Sequence, residues 1–360
     1  MDPQFKKLFI PGPTMVHPDV LAKMATPMIS HRSSDASNLQ RSIANKLQQL
    51  MFTNNTIVLS TSSGTGLMEG AIRSVTKKKA IVFAVGAFGK RWHELAQLNG
   101  IDADIHLEES GNPTMPETVG RYLKTGQYDT VTITHNETST GIMNPVDAIA
   151  EVIQKYPDVV WMVDTVSSLG GAKIEVDRLG IDVCISSSQK ALALPPGLAL
   201  ASVSEKAINR CKEIGQKGYY LDLGNLVKYV KEKDHQYACT PSLSHMFAMD
   251  FQLDRIMKEG IENRFIRHME MAEHMINWAN HFFEVYPLPG FESLTVTCIK
   301  NTKNINVSKL NAGLAEKGMQ LSNGYGELKD KTFRVAHMGE LTLADMEELC
   351  SAMEEVLNLK

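Results

Sequence analysis

Two stretches of this 360-residue chain decide its fold: Val159-Val160-Trp161-Met162-Val163-Asp164 and Ser186-Ser187-Ser188-Gln189-Lys190. Each belongs to a pattern typical of a buried strand, and each ends in one charged residue. Lys190 follows Asp164 by 26 residues. Unpaired ionic groups are costly at the end of an apolar run, so both charges call for a functional explanation. The alternative is that both charges face solvent.

An acid and an amine placed in this way suit the cofactor pyridoxal phosphate. Its ring nitrogen needs a carboxylate to stay protonated, so that the ring can draw electrons from a substrate carbanion. Its aldehyde needs an amine to form a Schiff base. Asp164 would supply the carboxylate and Lys190 the amine.

Short apolar runs alternate with helical patterns from about residue 56 to residue 203. The runs include Ile57–Leu59, Ala80–Phe83, Thr130–Ile133, Val159–Val163 and Val183–Ile185. This alternation predicts an α/β fold with a mostly parallel central sheet flanked by helices. Ligands of such sheets usually bind at the carboxyl ends of the strands.

The C-terminal part of the chain has a different pattern. Apolar residues at helical spacing from Ser244 to Phe283, with Gly260 among them, predict one or two long helices. A small α+β domain is then predicted by a strand, a helix, a strand and a final helix at Leu294–Ile299, Val307–Lys317, Lys331–Ala336 and Thr342–Leu357. We expect an N-terminal segment (1–20) at the active site and interface, a large domain (21–255) and a small domain (256–360).

Composition limits the classes of partner. With 37 basic and 41 acidic residues the net charge is −4, which gives no basic surface for nucleic acid. No stretch approaches the roughly 18 apolar residues of a membrane-spanning helix, and the first ten residues lack a signal-peptide core. Five scattered cysteines argue against disulfides and against closely spaced zinc ligands. We expect a cytoplasmic protein that acts on small molecules and holds no metal.

The segment Ser60–Gly66 is a candidate phosphate-binding loop. It follows an apolar run and begins the helical pattern Leu67–Val75. Free N–H groups and the positive end of the helix dipole would face a phosphate there. Ser and Gly also fill ordinary turns, and the segment matches neither the Walker pattern nor the dinucleotide fingerprint. The phosphate of pyridoxal phosphate remains a natural ligand.

Two further segments follow predicted strands. Gly86-Ala87-Phe88-Gly89 places a ring between two glycines, where Phe88 either stacks on a pyridine ring or packs as a core residue. Thr134–Gly141 is denser in polar groups than a structural loop requires and should line the pocket. Within it, we expect His135 to be a structural histidine, because Lys190 already supplies a base.

With these residues assembled, the chain resembles the class V aminotransferases of PLP fold type I, in particular the alanine–glyoxylate and serine–pyruvate aminotransferase group. The resemblance begins at Pro11-Gly12-Pro13 and continues through the three loops above. It is strongest at Val163–Gly171 and Ser188–Leu192. It implies a large domain with a mostly parallel sheet and a small C-terminal α+β domain.

The resemblance also implies roles for single residues around the cofactor. Lys190 would form the Schiff base and Asp164 would pair with the ring nitrogen. Val166 would pack on one face of the ring and Phe88 on the other, with Thr138 near the ring hydroxyl. The residues implied to hold the phosphate are Ser63, Gly64, Thr65 and Gln189.

Contacts with a second subunit and with the substrate are implied in the same way. Tyr237 and Thr240 match a segment that reaches the phosphate of the neighbouring subunit, which implies a homodimer with shared active sites. Arg334 matches an arginine that receives the substrate carboxylate, and Gly12 is assigned to the substrate site. The roles of His31 and Arg32 stay unassigned.

The implied reaction is a ping-pong transamination from alanine or serine to glyoxylate or pyruvate. Phe88 stands where several members of the family that the chain resembles have tryptophan, and Thr65 stands at a variable position; both lie near where the substrate side chain would be read. One alternative is 2-aminoethylphosphonate–pyruvate aminotransferase, although that group often has Asn at the position of Gln189. A cysteine desulfurase would need a mobile catalytic cysteine. A non-catalytic protein of this fold would have little reason to keep both Asp164 and Lys190.

Overall fold

The computed structural model describes residues 6–215 and 218–359. Its strands are β1 (Lys7–Phe9), β2 (Thr56–Ser60), β3 (Ala80–Ala84), β4 (Ala103–Leu107), β5 (Thr130–Thr134), β6 (Asn136–Glu137), β7 (Ile142–Met143), β8 (Val160–Asp164), β9 (Val183–Ser187), β10 (Ala199–Val203), β11 (Glu284–Val285), β12 (Val296–Lys300), β13 (Met319–Asn323) and β14 (Thr332–Ala336).

The helices are α1 (Pro18–Lys23), α2 (Ser34–Leu50), α3 (Gly64–Val75), α4 (Ala87–Leu98), α5 (Pro116–Leu123), α6 (Val146–Ile153), α7 (Val176–Leu179), α8 (Glu205–Glu213), α9 (Leu223–Glu232), α10 (Leu243–Glu259), α11 (Ile261–Phe282), α12 (Val307–Glu316) and α13 (Leu343–Leu357). A short 3₁₀ turn spans Gly326–Leu328. Across the described residues, no helix is long and apolar enough to cross a membrane.

The central sheet has seven strands in the order β2-β10-β9-β8-β5-β3-β4. Neighbouring strands run parallel, except that β10 runs antiparallel to β2 and to β9. Strands β3, β5, β8, β9 and β10 are buried along their whole length, as expected of a sheet covered by helices. The predicted α/β fold with a mostly parallel sheet is confirmed.

A second sheet has the order β1-β13-β14-β12-β11. Strand β1 pairs parallel with β13, and the other neighbours are antiparallel. Gly260, with a φ of +89°, separates α10 from α11, so the predicted long helical region consists of two helices. The N-terminal strand thus lies in the sheet that the C-terminal part of the chain forms.

Buried apolar side chains form one large cluster around the central sheet and a second cluster around the smaller sheet. Val20 and Phe265 belong to the first cluster, whereas Phe9 and Met271 belong to the second. The segment up to residue 20 therefore contributes to both clusters. The domain boundaries at residues 20 and 255 stay predictions.

Arg264, on α11, is a buried charged residue that joins three parts of the fold. Its Nε donates to the Gly170 carbonyl at 2.9 Å, and its Nη2 donates to the carbonyls of Ala191 at 2.8 Å and Gly339 at 3.1 Å. Its Nη1 pairs with Glu259 at 2.7 Å, and the side chain is only 1% exposed. Removing a buried charge with this many partners strongly destabilises the folded protein.

We expect Arg264→Met to lower the free energy of unfolding by about 3–5 kcal/mol, because it removes a buried ion-pair partner of Glu259 and leaves the carbonyls of Gly170 and Ala191 without the donors that Arg264 supplies. Urea denaturation measures the change. Arg178 is the control: its side chain is 55% exposed and pairs with Glu175. Arg178→Met should lower the same free energy by less than about 1 kcal/mol. Equal losses in the two variants would contradict the structural importance given to Arg264.

Candidate active site

The loops that carry the predicted site residues meet at one edge of the central sheet. Strand β8 ends at Asp164 and β9 ends at Ser187. Strand β2 ends at Ser60 on the same edge, because Ala199 of β10 lies opposite both Ser60 and Ser187. The carboxyl ends of these strands therefore bring together segments that lie far apart in the sequence.

Asp164 is a buried carboxylate with an incomplete set of partners. The Val166 N–H donates to its Oδ1 at 2.8 Å, and no other group of the described chain donates to it. Burial raises the pKa of Asp164 to about 7, and the charge of Glu137 adds to this, whereas the Val166 N–H and the charge of Lys190 lower it. The carboxylate can therefore accept a further hydrogen bond from a cation.

Lys190 follows β9 by three residues and is partly buried. Its Nζ donates to the carbonyl of Pro11. Gly12, at a φ of +98°, lies so close that a Cβ there would be 2.7 Å from Lys190 Cδ. Burial, followed by the charge of Arg334, lowers the pKa of Lys190 to about 8, while Asp164 raises it. A substantial part of this amine is neutral at mildly alkaline pH.

The candidate phosphate loop lies against the segment that follows Asp164. Ser63 precedes α3 and its side chain makes no capping hydrogen bond. A Cβ at Gly64 would be 2.5 Å from Val166 Cγ2 and 3.6 Å from Ser187 Oγ. Ser187 Oγ is buried and without a hydrogen-bond partner in the described residues, as is Oε1 of Gln189. Buried polar atoms without a partner call for an explanation, and beside this loop a bound ligand would supply one.

Tyr237 lies beside the same loop, within its own chain. Its hydroxyl accepts a hydrogen bond from the Thr61 N–H at 2.8 Å, and its carbonyl accepts one from Arg32 at 2.5 Å. Thr240 is exposed, whereas His31 is partly buried. The contact of Tyr237 and Thr240 with a second subunit stays a prediction.

Phe88 lies in the first turn of α4, and its ring packs against Tyr325 with a centroid separation of 5.5 Å. A cavity of about 320 Å³ adjoins this pair, lined among others by Gly86, Ser139 and Tyr325. Sequence reasoning missed Tyr325. Its signal is a ring between two glycines, as at Phe88, in Gly324-Tyr325-Gly326.

Arg334, on β14, reaches from the smaller sheet to the loop after β5. Its Nη1 donates to the Thr138 carbonyl at 3.0 Å and its Nε donates to the Asn323 carbonyl at 3.1 Å. The guanidinium lies over the ring of Tyr325 at 5.5 Å. Arg334 is 7% exposed, and Nη2 makes no hydrogen bond to the described part of the chain. Burial lowers the pKa of Arg334 from its ordinary value.

The polar loop Thr134–Gly141 is fully buried, as a pocket lining requires. Thr138 Oγ1 donates to Ser167 Oγ at 2.9 Å. His135 Nδ1 lies 3.1 Å from Ser168 Oγ, and burial lowers the pKa of His135 to about 4, so its ring is neutral. Glu137, which had no predicted role of its own, is also fully buried. Throughout the described chain, no group of three or more His, Cys, Asp or Glu is placed to hold a metal ion.

The structure thus brings most of the predicted residues together at one edge of the sheet. The contacts join Gly12 to Lys190, Gly64 to Val166, and Arg334 to Thr138. A larger cavity of about 640 Å³ is lined by Arg32, Tyr229 and neighbouring residues and includes neither Asp164 nor Lys190. The candidate site is therefore defined by the charged groups at the strand ends.

Comparison with known proteins connects this arrangement to a family. The family model "Aminotransferase class-V" matches residues 8–327. An uncharacterised aminotransferase of Methanocaldococcus jannaschii is 41% identical over 341 residues, which are 93% of this chain and 88% of the relative. Serine–glyoxylate aminotransferase of Methylorubrum extorquens is 29% identical, over 93% of this chain and 86% of the relative.

A solved structure agrees with the sequence comparisons. Alanine–glyoxylate aminotransferase from Nostoc sp. superposes with a TM-score of 0.93 at 26% identity, over 99% of this chain and 96% of that chain. The resemblance stated from the motifs is confirmed. Because the family model covers most of the chain, the protein belongs to the class V aminotransferase family and is a transaminase.

Proposed function

We propose that this transaminase uses pyridoxal phosphate to move an amino group from alanine or serine to glyoxylate or pyruvate by a ping-pong mechanism. One observation carries the proposal: a buried acid and an amine of lowered pKa follow the adjacent parallel strands β8 and β9. The serine–glyoxylate and alanine–glyoxylate activities named for similar proteins support the choice of substrates.

The residues present fit pyridoxal phosphate. When bound, this cofactor would supply an aldehyde that takes up the amino group and a ring that draws electrons from the substrate. Asp164 would accept a hydrogen bond from the ring nitrogen, since its carboxylate has a single donor in the described chain. The residues that would hold the phosphate are Ser63, Gly64, Thr65 and Gln189, beside the unsatisfied hydroxyl of Ser187.

Side chains on both sides of the ring would fix its plane. Val166 contacts the phosphate loop at Gly64 and would pack on one face. Phe88, at the start of α4, would stack on the other face. Thr138 would lie near the ring hydroxyl.

Lys190 would bind the cofactor's aldehyde through its Nζ. Once a substrate amine has taken its place, the free Nζ would take the proton from the substrate Cα and return it to the carbon of the cofactor's aldehyde, on the other side of the substrate nitrogen. The lowered pKa of Lys190, about 8, provides the neutral amine that both tasks need. Gly12 has no side chain, so the space beside Lys190 Cδ remains open.

Arg334 would bind the substrate carboxylate. Two of its nitrogens are held by backbone carbonyls, which fixes the plane of the guanidinium, while Nη2 makes no hydrogen bond to the described chain. A guanidinium fixed in this way orients the substrate so that its Cα–H bond can stand perpendicular to the ring.

The alternatives differ in what they require. A cysteine desulfurase needs an accessible, mobile cysteine, but four of the five cysteines are buried and Cys239 is partly buried. An aminotransferase for 2-aminoethylphosphonate remains the alternative within the family. A homodimer that shares its sites through Tyr237 and Thr240, and a cytoplasmic location, stay predictions.

Purified protein loaded with pyridoxal phosphate should be yellow and should transfer amino groups from alanine or serine to glyoxylate or pyruvate. A panel of donors that includes 2-aminoethylphosphonate, assayed with both acceptors, measures this. Lys190→Ala should lose turnover and the borohydride-reducible link between cofactor and chain, because no amine remains at that place. Faster turnover with 2-aminoethylphosphonate would favour the alternative, and a reducible link in Lys190→Ala would refute the role of Lys190.

The rate at which cofactor-free protein bonds pyridoxal phosphate should rise with pH around the Lys190 pKa of about 8, because only the neutral amine attacks the aldehyde. Arg334→Gln should move the midpoint to higher pH, since the charge of Arg334 lowers that pKa. Stopped-flow absorbance measures the rate. Arg178→Gln, on the surface, should leave the midpoint unchanged. An unshifted midpoint in Arg334→Gln would show that the two charges are not coupled.

Arg334→Lys should keep the absorbance of the bound cofactor but lower kcat/KM for alanine by roughly 10²-fold, about 3 kcal/mol of transition-state binding, because an ammonium cannot grip a carboxylate with two parallel bonds. A primary amine without a carboxylate is the control substrate, and its kcat/KM should change little. Wild-type kinetics with alanine would leave the carboxylate site unassigned.

A further inference from the structure

Glu137 is a buried carboxylate to which the proposed reaction gives no task. Its side chain is 0% exposed. Its Oε2 accepts from the N–H groups of Phe88 at 3.0 Å and Gly89 at 2.9 Å. Its Oε1 accepts from the N–H of Ser139 at 3.0 Å and from the Ser139 hydroxyl at 2.5 Å. Burial raises the pKa of Glu137, while the hydrogen bonds from Ser139, Gly89 and Phe88 lower it. All four partners are donors, so an ionised carboxylate satisfies every one of them and an amide could not.

Two of these donors belong to the first turn of α4. N–H groups there have no partner inside the helix, and the helix dipole favours a negative charge beside them. The chain approaches Glu137 so closely that a Cβ at Gly86 would lie 2.5 Å from Glu137 Cγ. Glu137 thereby fixes the place at which α4 begins, and with it the backbone of Phe88.

Thr138, the residue after Glu137, contacts Arg334. The Thr138 carbonyl accepts from Arg334 Nη1 at 3.0 Å, while Thr138 Oγ1 is tied to Ser167. The dipeptide Glu137-Thr138 therefore contacts the start of α4 through the Glu137 side chain, and it contacts Arg334 through the Thr138 carbonyl. The charge of Glu137 also raises the pKa of Arg334 against the effect of burial.

We propose that Glu137 is a positioning residue that fixes the ring of Phe88 and the guanidinium of Arg334 in one arrangement. The ring that would stack on the cofactor and the guanidinium that would bind the substrate carboxylate then keep fixed positions relative to each other. This inference rests on the proposed function, because Phe88 and Arg334 act there on the cofactor and on the substrate.

Asp129 provides a matched control. It is also a buried carboxylate, 8% exposed, and it accepts hydrogen bonds from three successive backbone N–H groups, those of residues 77–79, and from Arg210. It precedes β5, so it lies at the edge of the sheet opposite the candidate site. A variant at Asp129 measures the loss of stability that follows from disturbing such a carboxylate.

The experiment compares Glu137→Gln with Asp129→Asn. We expect both variants to unfold at lower urea concentration. Only Glu137→Gln should bind pyridoxal phosphate more weakly, by about tenfold, and show a KM for alanine raised by about tenfold. The variant loses the charge-assisted bonds from the start of α4 and from Ser139, which frees both Phe88 and the loop that presents the Thr138 carbonyl to Arg334. Absorbance titration of the cofactor-free protein measures the dissociation constant without reference to turnover.

Wild-type values of the dissociation constant and of KM in Glu137→Gln would overturn the inference. If Glu137→Gln does not fold, as judged by circular dichroism, Ser139→Ala decides. It removes the hydroxyl that donates to Glu137 and accepts from the Ala87 N–H, and it should raise the dissociation constant and KM by about threefold. Unchanged constants in Ser139→Ala would then overturn the inference. A wild-type protein that binds no pyridoxal phosphate would instead refute the proposed function.

Discussion

The arrangement of the site depends on the hydrogen bonds that the buried guanidinium of Arg264 donates. The guanidinium ties the carbonyl of Gly170, in the segment after Asp164, to that of Ala191, next to Lys190, and to that of Gly339, just beyond β14. Strand β14 carries Arg334, so one side chain links the surroundings of all three charged groups. His268 reinforces the link: the Gly339 N–H donates to its Nε2, which requires that nitrogen to be unprotonated, and burial lowers the pKa of His268 well below its ordinary value.

The buried charges of Asp164 and Lys190 lower the free energy of unfolding of the cofactor-free protein. Burial raises the pKa of Asp164 to about 7, so its contribution to stability falls as pH rises from the unfolded value through 7. Burial lowers the pKa of Lys190 to about 8, so its contribution recovers as pH rises above 8. Burial favours the neutral form of both groups, but around neutral pH Asp164 is partly ionised and Lys190 is mostly protonated. A ligand that gave Asp164 a cationic partner and bonded Lys190 would relieve both costs, which connects binding to stability.

The predicted strands of the central sheet are short runs rich in apolar and β-branched residues, and β4 was not among them. Strand β4, Ala-Asp-Ile-His-Leu, lies at the edge of the central sheet and carries polar residues, so it lacks the expected pattern. Asp164 and Lys190 could be found because each ends a run. Glu137 could not, because its role lies in a contact with Phe88, which is distant in the sequence. Tyr325 has only the signal of a ring between two glycines, and its contacts with Phe88 and Arg334 exist only once both sheets have formed.

The two sheets divide the proposed chemistry between them. In the central sheet, Asp164 ends β8, while Lys190 and the candidate phosphate loop follow β9 and β2. In the smaller sheet, Arg334 lies on β14 and Tyr325 lies in the loop between β13 and β14. The Thr138 carbonyl bridges the two parts. Loops tolerate sequence change better than the strands that they connect. Under the proposed function, changes around Tyr325 would therefore alter the surroundings of Arg334 while leaving Asp164 and Lys190 in place.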